Sequence, residues 1–157
     1  MSVTNASDEP VRAGVLHLDL PLGRAQPRWW RWLIAAVVAG AASVGASAVL
    51  AVAGIAWIPG SASYEHFQPG DYVKLTLAGV AAGVVVWPLV TLLSTRAAGL
   101  YIALAVVATI VSFAPDLWIL HLGQLPAEVL VLAIMHVAVA VVTVAALLLI
   151  APQRRAR

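Results

Sequence analysis

Asp116 and His136 stand inside sequence that is otherwise apolar and almost uncharged. Ahead of the acid come Thr109 and Ser112, spaced so that all three fall on one helix face, with Pro115 beside them. The histidine shares its face with Ala133, Ala140 and Thr143. A carboxylate beside an imidazole can clamp two helices in register, or it can hold a ligand or pass a proton as ionisable groups do in transporters. The imidazole alone could ligate haem, with His136 of a second copy on the other axial position. Ligation by two histidines of one chain needs another deep histidine, and His121 lies near the end of its segment. No serine stands in a nucleophile elbow, no His-Glu-x-x-His occurs, and no carboxylates are paired for acid–base work. Cysteine is absent, which removes disulfides, thiolate metal sites, thiol redox chemistry and S-acylation. The expectation is a non-enzyme with no resident cofactor or metal.

Four long apolar segments must position these residues, at about 33–58, 74–95, 97–122 and 127–151. A hydrocarbon core of about 30 Å needs about 20 helical residues, and each segment supplies them. Hydrophobic residues make up 62% of the 157-residue chain and charged residues 10%. Ordinary soluble domains carry about 25% charge, so this chain cannot coat a globule and its main partner is the lipid bilayer. The expected fold is all-α, a four-span antiparallel transmembrane bundle over 33–152 with both termini cytoplasmic. Residues 1–32 form a tail ending in an interfacial anchor, Arg28-Trp29-Trp30-Arg31-Trp32, and 153–157 form a short basic tail. The anchor precedes a span directly, so it is read as membrane-facing and no nucleic-acid partner is expected. A surface-lying amphipathic piece is expected at 15–20. The first apolar run is too long for a signal-peptide core and starts too far from the N-terminus.

Very short connections about Arg96 and about 122–127 make spans two and three, and three and four, antiparallel neighbours. Folding the last hairpin about Gly123-Gln124 sets Asp116 opposite Ala133, about one helical turn from His136. Small residues recur along the first span at Ala35, Ala39, Ser43, Ser47 and Ala51, with Gly40, Gly45 and Gly54 beside them. The second span carries a small-xxx-small pair, Gly79 and Gly83. Such stripes let helix backbones touch, which lipid cannot match. Gly79, Gly83, Gly40, Ser43 and Ser47 are therefore the expected packing residues. They join spans one and two within the chain, or alternatively join copies into a homo-oligomer. Pro88 should kink the second span. In the connection 59–72, Tyr64, Phe67 and Tyr72 are expected to fold back onto the membrane interface, and Glu65, His66 and Asp71 to be solvated, a metal site being the alternative.

The stretches Leu104-Ala105-Val106-Val107, Ser112-Phe113-Ala114-Pro115-Asp116-Leu117 and Ile134-Met135-His136-Val137 resemble a group of small actinobacterial four-helix membrane proteins of unknown function. The resemblance spans about 31–152 and includes the basic start and the Met-His pair in the last helix. It implies a fold and a compartment, and brings no activity. Small multidrug transporters also have four helices, but they carry an essential acid in the first span, which has no charge here. Four-helix quinone reductases of disulfide formation require cysteine. The expected function is that of a small integral membrane protein acting through helix packing or a membrane-protein partner. The alternatives are a transporter-like or ligand-binding bundle using Asp116 and His136, and a haem-binding electron carrier.

Orientation follows from the basic residues. With the N-terminus inside, the cytoplasmic segments hold eight, Arg12, Arg24, Arg28, Arg31, Arg96, Arg154, Arg155 and Arg157, and the external segments hold only Lys74. This bias sets both termini in the cytoplasm. The alanine-, valine- and arginine-rich, lysine-poor composition resembles that of a high-GC bacterial genome, and the expected location is a bacterial plasma membrane. Reporter fusions after Arg96 and Arg157 should both read cytoplasmic, and one near His66 external. An external signal at the C-terminus would refute this topology.

Overall fold

A computed structural model of the chain describes Leu18 and residues 26–154. The rest of the 15–20 segment, and Arg12, Arg24, Arg155 and Arg157, lie outside the described residues. The order of elements is α1 (Trp29–Trp57), two 3-10 turns (Ser61–Ser63 and Glu65–Phe67), α2 (Pro69–Leu93), α3 (Ala97–His121) and α4 (Pro126–Ile150). The described residues contain helices and no strand, and four helices are long and apolar enough to cross a membrane. Lipid offers no partner for a bare amide, so each apolar run closes its own hydrogen bonds as a helix despite its many β-branched residues. Pro69 and Pro126 occupy the first turns of α2 and α4, where a missing N–H costs nothing. Gly123, at φ 97°, reverses the chain after α3 in a conformation that glycine adopts without strain. α1 begins at Trp29 and α2 at Pro69, each a turn or so before the uncharged run, because the aromatic and charged residues there continue the helix.

α4 packs against all three other helices, and α2 also contacts α1 and α3. One end of the bundle holds the α2–α3 turn and both flanking segments, and is called the terminal end. The other holds the α1–α2 connection and is called the loop end. Small residues of α1, namely Ala35, Ala39, Ser43, Ser47, Ala51 and Gly54, are all buried. Ser47 and Thr76 share a 2.9 Å hydroxyl hydrogen bond between α1 and α2, and a methyl at Gly40 would sit 3.6 Å from Leu77. The glycine pair of α2 faces elsewhere. A Cβ at Gly83 would meet Thr143 of α4 at 2.9 Å and the Tyr101 hydroxyl of α3 at 3.0 Å, while one at Gly79 would lie a loose 3.9 Å from Val139. The glycines thus admit α4 and α3, and the expected pairing of spans one and two is carried by α1's own small residues. Gly79 and Gly83 align with Val139 and Thr143 at one constant offset. On that offset His136 stands level with Thr76.

The terminal end is tied together around Pro88. A proline at this position leaves the Val84 carbonyl without its helical donor, and the Trp32 indole N–H of α1 donates to it at 2.9 Å. Tyr101 donates to Gly83 O at 3.1 Å, and Gln26 Nε2 to Pro88 O at 3.0 Å. Trp87, wholly buried, donates its indole N–H to Ala151 O at the end of α4. Gln153 accepts from the Ala97 amide at the start of α3 and donates to Ser94 O. Trp32 therefore departs from the interfacial role expected of the whole Arg/Trp cluster: Trp29 and Trp30 are exposed, and Trp32 turns inward.

Gly83→Leu should wedge α2 from α4 and destabilise the bundle by about 1–3 kcal/mol, as overpacked contacts do. Gly45→Leu, with no neighbour within 4 Å of a built Cβ, should leave melting in detergent unchanged. Equal effects at the two positions would contradict this packing.

Candidate functional site

Polar side chains converge where the α1–α2 connection closes the loop end. Phe67 anchors the connection by laying its ring on Gly54, where a Cβ would come within 2.8 Å of it. The ring is buried with Ala51, Leu132 and Met135. Ser61, also buried, donates to the carbonyls of Gly54 and Ile58. Tyr64 packs edge-on against both Phe67 and His66. The aromatic residues therefore enter the bundle, where the sequence suggested a resting place on the membrane interface. His66 Nδ1 pairs with Asp71 Oδ2, so these two are engaged with each other. Glu65 is exposed, and no group of three metal-ligating side chains forms among the described residues.

Beneath this cap the candidate pair meets. Asp116 Oδ2 of α3 lies 3.0 Å from His136 Nδ1 of α4, and Asp116 is 5% exposed. The two atoms are in ion-pair contact without hydrogen-bond alignment, and both are buried with no other partner. Phe113 stands edge-on to the imidazole at 6.1 Å between ring centres. Thr109 and Ser112 take no part: their hydroxyls donate to Ala105 O and Thr109 O of their own helix. Such back-bonding is a common use of mid-helix hydroxyls in an apolar setting. Ser43, another candidate packing residue, is fully buried with its hydroxyl unpartnered, as is that of Thr143. His121 is exposed near the end of α3, against Trp118.

Two further residues join this region without having been singled out for it. Glu128, in the first turn of α4, is 2% exposed and accepts a hydrogen bond from Gln124. The Tyr64 hydroxyl is buried and unpartnered. Burial, and after it the carboxylates of Glu128, Asp116 and Asp71, push the Tyr64 phenol up to about 12. A cavity of about 340 Å³ opens at this end, lined among others by Pro59, Tyr64, Glu65, Gln124 and Glu128. Neither Asp116 nor His136 lines it. In sequence Glu128 reads as an ordinary acid at a helix start, favourable to the helix dipole and solvated. In the fold it is buried beside residues of the α1–α2 connection, and the sole local hint is Gln124 one turn before it.

The arrangement can hold α3 to α4 by a carboxyl–imidazole contact inside the bundle, and it presents a separate acidic cavity at the surface. No curated protein and no solved structure matches the chain. A family model matches residues 23–153, which covers all four helices and both flanking segments that lock the terminal end. The chain therefore belongs to DUF6069, a family of unknown function.

Proposed function

We propose that this chain is a non-enzymatic multi-pass protein of the bacterial plasma membrane that acts through helix packing with a membrane partner. In it Asp116 and His136 serve as a polar clamp between α3 and α4. The observation that carries this is the 3.0 Å contact of a nearly buried carboxylate with an imidazole, away from the cavity that opens at the loop end. A transport site needs access from water, whereas a clamp works best without it, because an ionisable group left alone at membrane depth is costly. The exposed Arg28, Arg96 and Arg154 gather at the terminal end, which supports a cytoplasmic terminal end and an external loop end. Large apolar side chains along α3, among them Val106, Val107, Ile110 and Val111, are exposed along its length. They are the surface offered to lipid or to a partner helix.

Asp116→Asn and His136→Gln, alone and together, should show a coupling of about 0.6 kcal/mol or more in detergent unfolding, the usual scale of polar contacts within membranes. Strictly additive effects would remove the clamp. In liposomes the wild type should move no protons when a pH gradient is imposed and read with an internal dye. A proton flux abolished by Asp116→Asn would replace the clamp with a transport site.

A further inference from the structure

We propose that the loop-end cavity is a binding site for an ammonium group, held by the carboxylate of Glu128 with the phenol of Tyr64 beside it. Glu128 is only 2% exposed, yet among the described residues no basic side chain pairs with it. Its one hydrogen bond comes from the neutral amide of Gln124. A buried carboxylate without a counter-charge is expensive, and a cation entering the cavity would supply the missing charge. The second observation is independent of charge. Tyr64 keeps a buried hydroxyl with no partner, next to the same cavity. A primary ammonium carries three donors, and a hydroxyl and a carboxylate are two acceptors for them.

The walls point to an organic cation in preference to a metal ion. Pro59, Leu125 and the Tyr64 ring give apolar and aromatic surface, and an aromatic face attracts alkylated ammonium groups. No three metal-ligating side chains gather among the described residues. The cavity is open to the outside, and its volume of about 340 Å³ admits a compact amine or a headgroup. Glu65 at the exposed rim adds a second negative charge, and no basic residue lines the cavity. The site does not depend on the role of Asp116 and His136.

The ammonium group can belong to a free amine or to a phosphatidylethanolamine headgroup. Full-length protein in phosphatidylglycerol nanodiscs should bind ethylammonium and tetramethylammonium saturably at one site per chain by titration calorimetry. Sodium chloride at matched ionic strength should give no saturable heat. Glu128→Gln should weaken binding by about tenfold or more, as removal of a buried charge partner does, and Glu65→Gln, on the exposed rim, should weaken it less. Adding phosphatidylethanolamine to the nanodiscs distinguishes the sources: loss of free-amine binding assigns the headgroup, and unchanged binding assigns a soluble amine. The absence of saturable binding, a response that sodium reproduces, or binding untouched by Glu65→Gln and by whichever Glu128 variant folds would overturn the proposal.

Discussion

Every polar backbone group inside a hydrocarbon layer must find its partner within the protein, and Pro88 breaks that rule at one point of α2. Its ring leaves the Val84 carbonyl without a helical donor. The Trp32 indole fills the gap at 2.9 Å, and to do so α1 must lie against α2 at a fixed height. The Tyr101 phenol of α3 donates to the neighbouring carbonyl, Gly83 O, at 3.1 Å and brings a third helix to the same turn of α2. One irregularity in α2 thus becomes the junction of three helices. Trp87, next to the proline, reaches the last turn of α4 through Ala151 O and brings in the fourth. These bonds are directional, while the apolar contacts around them are not, so the bonds set which rotation of each helix is native.

Given that junction, the rest of the bundle follows from size and polarity. Gly83 is small because Tyr101 and Thr143 both press on it. α4, touching every other helix, carries both Glu128 and His136, one near its start and one deeper. Phe67 on Gly54 anchors the α1–α2 connection at the loop end, where its residues share a cavity with the buried Glu128 and the Tyr64 hydroxyl is buried too. The terminal end is closed by hydrogen bonds to backbone. The loop end is closed by the Phe67 ring and the Ser61 hydroxyl, and it retains the unpartnered Tyr64 hydroxyl beside a cavity. That contrast is why the candidate chemistry sits at one end only.

The four helices were legible because apolar length alone marks a span, and no soluble alternative could absorb so little charge. The meeting of Asp116 with His136 was legible because a short turn at Gly123 leaves few ways to fold the last hairpin. The partner of Gly79 and Gly83 was not: a small-residue stripe states that something approaches closely, and only the packing of α4 against α2 says what. Trp32 reads as one more interfacial indole, since nothing local reveals that a carbonyl 52 residues away lacks a donor. The burial of Glu128 and of the Tyr64 hydroxyl was not legible for the same reason: it depends on how the connection seats, with Phe67 on a distant glycine, a contact with no signature in either segment.

The dependence of α1 on the proline can be measured directly by unfolding Trp32→Phe in two backgrounds, wild type and Pro88→Ala. The substitution removes the indole donor in both, and its packing loss is common to both. With Pro88 present, losing the donor strands the Val84 carbonyl and should cost about 1–3 kcal/mol beyond that packing loss. With alanine at 88 the backbone amide returns to Val84, and the extra cost should vanish. An equal cost of Trp32→Phe in the two backgrounds would show that the indole contributes packing alone, and would contradict the coupling of these helices through the gap at Pro88.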